Sequence, residues 1–307
     1  MCIPSGNYTT ALLSVGYNVA MSAPSPDPHA LVLCQTPGLD AILVERLLVR
    51  WGDAATVLMA SSSALRSEGI APVVVARLVA AQRQVASIAA GLKGLSRLGI
   101  TPIPLPSPDY PQRLREQSNA PLVIYVQGAW PPPAPAVALL VAAEQTEAAL
   151  ALARPWLAQL RSYGVALAGS GAALKHVPDE ITLAVVPFGL LLARQRLPAA
   201  LIAAAQKGTL TLVSPTAVNQ PPDAQTTALA EATLHAFVVA QLLLDPLVAP
   251  LVSTLPTWWL TLPESNLPLA NNTLRRLRPT EAGGRRLAKS LGIHMMANTT
   301  VQQERLL

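Results

Sequence analysis

Aromatic residues make up 4% of this 307-residue chain, charged residues 13%, and cysteine occurs twice, at Cys2 and Cys34. Two cysteines make no disulfide framework in a chain of this length. The four histidines (His29, His176, His235 and His294) are scattered singly, and no spacing suits a metal. Long apolar runs are missing too. Ile181–Ala193 is broken by Pro187 and Gly189, and Ala232–Leu244 ends at Asp245-Pro246. Both fall short of the roughly 20 apolar residues that a spanning helix needs, so no membrane segment is expected and a cytoplasmic, soluble chain is. No Lys or Arg precedes the first apolar stretch, as a signal peptide requires. Residues 1–28 are expected to be a disordered leader, with a true start at Met21 as the alternative. Catalytic signatures are also lacking: no Walker loop, Ser/His/Asp or Cys/His arrangement, or paired-carboxylate site stands out. The expectation is a non-enzyme with no cofactor and no metal.

What is present is aliphatic. Half the residues (51%) are hydrophobic, dominated by Ala, Leu and Val, which is ample for a packed core and argues against wholesale disorder. The net charge of +5 is unevenly placed. From Arg275 onward there are seven basic residues and two acids, while the rest of the chain balances fifteen against fifteen. Such asymmetry suits an anionic partner, or else a solvated, solubilising tail.

The pattern along the chain divides it. Ser22 to Pro28 is a Pro/Ser linker. A helical block follows over 29–99. In it Ala41–Trp51 has helical spacing, Ser61-Ser62-Ser63 can cap a short helix, and Pro72 suits a first helical turn. From Gly99, short β-rich runs alternate with Ala/Leu-rich helical stretches. Strands are predicted near 101–105, 122–127, 136–142, 165–168, 182–186, 209–213, 236–240 and 258–262. Helices are predicted near 148–163, 198–207 and 226–234. Alternation of this kind implies a parallel sheet with helices on its faces, so 100–264 reads as one Rossmann-like α/β domain. Residues 265–307 read as a basic C-terminal tail with one short helix at Glu281–Ile293.

Three stretches carry a resemblance. Pro108-Asp109-Tyr110-Pro111 with Leu114 is followed by Pro121 and by Ile124-Tyr125-Val126-Gln127-Gly128. The helical block contains Pro37-Gly38 and Arg50-Trp51-Gly52-Asp53, and the last predicted strand reads Trp259-Leu260-Thr261-Leu262-Pro263. In these elements and their order, residues 30–264 resemble the DNA-processing protein A (DprA, or Smf) family. The resemblance implies a sterile-alpha-motif-like helical domain before a Rossmann-like domain. It also implies single-stranded DNA as ligand, a homodimer, and the bacterial recombinase as partner in DNA uptake and recombination.

The chain departs from the family at the turns that meet DNA. A Gly-Ser-Arg turn is replaced by Val141-Ala142-Ala143, with only Thr146 fitting downstream. A Gly-x-Gly becomes Pro187-Phe188-Gly189. The Arg-Asn-Arg motif falls on Thr226-Thr227-Ala228, and the family's following glutamate and Ser-Gly map near Gln241 and 245–256. One turn is partly kept: Gly169-Ser170-Gly171 follows a predicted strand and reads either as an anion-holding loop or as an ordinary tight turn. Thr36-Pro37-Gly38-Leu39-Asp40 likewise reads as a phosphate-binding hairpin or as a structural turn, with the Asp40 carboxylate favouring the latter. With the family's arginines missing, the candidate DNA contacts are Arg275, Arg276, Arg278, Arg285, Arg286 and Lys289 of the tail. Trp258 and Trp259 are candidates for base stacking or for the core. The competing reading is a Rossmann scaffold or dimerisation module that has lost DNA binding.

Overall fold

The computed structural model describes residues 26–143, 147–244, 254–260 and 274–293. α1 (Pro28–Gln35) starts at a proline, whose missing N–H would be unpaired in a first turn anyway. The Asp27 carboxylate caps it, accepting from the His29 N–H at 2.9 Å. Residues 30 to 34 of α1 are all buried, so this helix is the centre of the block. Around it lie α2 (Ala41–Trp51), α3 (Ala54–Met59), α4 (Ser62–Ser67) and α5 (Pro72–Ala81). A 3-10 turn at Gln82–Gln84 leads into α6 (Val85–Arg97). Asp40, Asp53 and Ser61 cap α2, α3 and α4 by accepting from Leu43, Thr56 and Ala64 N–H groups. The turn at Thr36–Asp40 therefore has its carboxylate committed to starting α2, as a structural turn requires.

The combined helical run Pro72–Arg97 has 26 residues and a mean hydropathy of 1.3, long and apolar enough by composition to cross a membrane. It is longer than Ile181–Ala193 or Ala232–Leu244. Its apolar Val74, Val75 and Leu78 are buried within the helical block.

The second part of the chain builds one sheet. β1 (Ile100–Pro104), α7 (Gln112–Arg115) and β2 (Val123–Gly128) come first, then β3 (Ala136–Leu140) and α8 (Glu147–Ser162). Next are β4 (Ala166–Gly169), α9 (Ala172–His176), β5 (Leu183–Val185), α10 (Ala193–Arg196), α11 (Ala199–Gln206) and β6 (Thr211–Ser214). α12 (Ala224–Phe237), β7 (Val238–Leu243), β8 (Thr257–Leu260), β9 (Leu274–Leu277) and α13 (Glu281–Ser290) complete the described fold. The strand order is β1-β2-β6-β5-β4-β3-β7-β8-β9. β1–β2 and β2–β6 pair antiparallel, and every pair from β6 across to β9 is parallel. This is the Rossmann-like α/β architecture expected from the alternation. β3, β4, β5, β6 and β8 are buried along their whole length, as parallel strands with both faces covered must be.

The sequence sets 265–307 apart as a tail, yet its described part belongs to the sheet. β9 pairs with β8, placing Arg275 opposite Trp258 and Arg276 opposite Trp259. α13 buries Gly284, Leu287 and Ala288. The Trp156 indole of α8 donates to the Thr280 carbonyl at 3.1 Å. A side chain at 284 would put its Cβ 3.1 Å from the Tyr163 ring, so glycine lets α13 approach α8. Trp258 and Trp259 are 2% and 1% exposed, which removes both as stacking platforms for bases. Alternation puts them on opposite faces of β8, but each face is covered.

Candidate nucleic-acid interface

Ligands of open α/β sheets bind beyond the carboxyl ends of the strands, where side chains and helix N-termini converge. Among the retained loop residues, Gly169 closes β4. A Cβ there would lie 3.0 Å from both the Ala173 Cβ and the Ile181 Cδ1, so a larger residue would force these neighbours to shift. Gly171 has φ +50° and open space around it, which fits a turn. Packing at Gly169 and backbone conformation at Gly171 thus account for the two glycines.

The surroundings add electrostatics. The loop opens at Gly171 onto a cleft of about 600 Å³, whose lining includes Lys175, Phe188, Gln195, Arg196 and Pro198. Lys175 and Arg196 are exposed, on α9 and α10. The Arg196 guanidinium sits 5.8 Å from the centre of the Phe188 ring. Among the described residues no acidic one lines this cleft. α11 starts directly after Pro198 and has no side-chain cap, which leaves first-turn amides available at the positive end of its dipole. A larger cleft, about 690 Å³, lies between the helical block and β1. Its lining sets four carboxylates, Asp27, Glu45, Asp53 and Asp109, against one cation, Arg115, and would repel a polyanion.

The six predicted cations do not form one unencumbered patch. Arg275 is exposed on β9 with its guanidinium 5.2 Å from the Trp258 ring centre. Arg278, Arg286 and Lys289 are exposed. Arg285 is held by the Tyr163 hydroxyl and by Glu281 one turn earlier, and both raise its pKa. Arg276 lies in β9 opposite Trp259. Lys175 and Arg196 were invisible as a pair in the sequence. They stand 21 positions apart with no shared motif, and only the sheet brings them to one cleft.

The stretch aligned with the family's Arg-Asn-Arg starts α12 instead. Asp223 and Thr226 form a reciprocal cap, the Thr226 N–H donating to the carboxylate at 2.7 Å and the Asp223 N–H donating to the hydroxyl at 2.8 Å. The Val141-Ala142 turn after β3 presents no cation. Thr146 and most of 245–256 lie outside the described residues, as do Thr261 to Pro263. Cys34 is no nucleophile: burial pushes its thiol up to about 12. Among the described residues no cluster of His, Cys, Asp and Glu is placed to hold a metal ion.

No protein-family model and no curated protein sequence matches the chain. Solved structures do. The chain is similar to DNA processing protein A (DprA) from Streptococcus pneumoniae, with a TM-score of 0.52 and 12% identity over 86% of this chain and 92% of that one. It is also similar to DNA processing protein A from Helicobacter pylori, a structure described for its single-stranded DNA binding mode. That match has a TM-score of 0.48 and 13% identity over 62% of this chain and 97% of that one. The fold is thus DprA-like across most of its length.

Proposed function

We propose that the chain is a DprA-like DNA-processing protein that binds single-stranded DNA at the cleft beyond β4 and β5. The observation that carries this reading is the pairing of Lys175 and Arg196 in a cleft with no acidic lining among the described residues. Phosphates need neutralising cations, and affinity for a single strand comes largely from them. The uncapped start of α11 adds oriented amides beside them. Arg278, Arg286 and Lys289 on the far edge of the sheet supply further contacts along a strand. Gly169-Ser170-Gly171 shapes the rim. By resemblance, the protein works in the cytoplasm as a homodimer, hands strands to the bacterial recombinase and is not an enzyme.

A second reading is favoured by the Thr226 cap and the Val141-Ala142 turn, where the family's cationic contacts are replaced. In it the fold persists as a scaffold without DNA binding. Fluorescence anisotropy with labelled oligo-dT separates the two. The first reading expects binding that weakens steeply with salt and that Lys175→Glu/Arg196→Glu largely removes. Absence of binding at low salt would leave the scaffold.

A further inference from the structure

Forty residues pass without a carboxylate between Glu68 and Asp109, and they include Arg77, Arg83, Lys93 and Arg97. Arg77 is committed to the fold, donating to the Pro37 carbonyl at 3.1 Å. The other three lie along the outer side of the 3-10 turn and α6. At about 100° per residue, Arg83, Ala90, Gly94 and Arg97 share an arc of roughly 60°, with Lys93 some 40° further round. All five are exposed. Among the described residues, none of the three cations makes an ion pair. Gly91 and Gly94 face open space, so nothing stands between the cations to hold a ligand off.

The opposite side of α6 is already used. Val85, Ile88, Leu92 and Leu95 pack against the core. An amphipathic helix that enters a lipid surface needs its apolar side free, and here that side is spent. What remains is a row of positive charge about 21 Å long, at 1.5 Å rise per residue. Three cations spread over that length can each meet a phosphate of one strand. Its small residues between cations suit a sugar-phosphate backbone, and it offers no hydrogen-bonding fork for base edges beyond the cations themselves.

We infer that the outer face of α6 is a second nucleic-acid contact, at which Arg83, Lys93 and Arg97 engage a sugar-phosphate backbone without base selectivity. The inference rests on the proposed function only for the class of ligand; its residues and its surface are separate.

The test uses the full chain and labelled oligo-dT of two lengths, about 8 nucleotides to fill one site and about 30 to reach both. The variants are Arg83→Gln/Lys93→Gln/Arg97→Gln, its Arg83→Lys/Arg97→Lys counterpart, and Lys175→Gln/Arg196→Gln. Removing three phosphate contacts should shrink the slope of log affinity against log salt by about 2 on the long strand. Binding of the short strand should hold, and the lysine counterpart should keep the wild-type slope. Unchanged slope and affinity on the long strand, with the cleft variant impaired, would overturn this inference and spare the cleft. Loss of binding only in the triple-glutamine variant would sustain it and overturn the cleft. A wild-type chain that binds neither oligonucleotide overturns both. Capture on phosphatidylserine-containing vesicles through the same three residues, without dT binding, would assign the face to lipid and overturn it as well. Far-ultraviolet circular dichroism and thermal melts confirm that each variant is folded.

Discussion

Replacing Leu287 by alanine tests whether α13 is part of the fold. The side chain is fully buried, on a helix whose other packed positions are Gly284 and Ala288. Truncating a buried leucine costs about 2–5 kcal/mol, the larger values where the site cannot collapse. Here Gly284 is already in close contact with the Tyr163 ring and with Leu160, so little collapse is open to the helix. A cost in the upper half of that range is expected. For a chain of this size each kcal/mol lowers the melting temperature by roughly 2–4 °C, so a fall of about 7–20 °C follows. Urea unfolding should show the loss in midpoint with little change in slope. Limited trypsin digestion adds a local readout, since Arg285 and Arg286 offer cleavage sites in α13. They should resist trypsin in the wild type and become labile in Leu287→Ala. A loss under 1 kcal/mol, with cleavage at these arginines equally fast in both proteins, would refute the docked helix and restore a detached tail.

Other expectations follow from single groups. Asp223→Ala removes the carboxylate half of the α12 cap and should lower the melting temperature near neutral pH. The Thr226 backbone N–H holds the Asp223 carboxyl below its ordinary value. A lowered folded-state pKa gives stability that is present above the unfolded value and is lost as pH falls through the folded one. The gap between wild type and variant should therefore close at acid pH, as read by melts across a pH series; a gap that does not narrow would refute the cap. Cys34 should react with a thiol reagent no faster than the protein unfolds, because burial holds its thiol protonated; rapid labelling under native conditions would contradict that burial. Gly169→Val should destabilise the fold, since its Cβ would press on Ala173 and Ile181, whereas Gly171→Ala should be milder because its cost is backbone strain alone; melts of the two variants rank them.

The alternation of aliphatic runs made most of the sheet legible. Eight predicted strands overlap β1 to β8, because buried strands leave an unmistakable apolar run bounded by turns. β9 was not legible: Leu274-Arg275-Arg276-Leu277 has two apolar residues in a basic stretch, and its strand character comes from the backbone of β8. The tryptophan pair was half legible. Alternation assigned the two side chains to opposite faces, but a single sequence does not reveal that both faces are covered. β7 was placed early because α12 runs on to Phe237, an Ala-rich stretch with equal claim to either state. The candidate site was the least legible part. A charge count locates excess charge by position in the chain, whereas Lys175 and Arg196 belong to a region that is neutral overall. Their proximity is a property of the strand order.

The most direct test of the central claim is photo-crosslinking of an iodouracil-substituted oligo-dT to the full chain, with the modified peptides mapped by mass spectrometry. Crosslinks in peptides carrying Lys175 or Phe188 to Arg196, lost at high salt, are the predicted result. Crosslinks confined to surfaces remote from that cleft, or none at low salt, would contradict it.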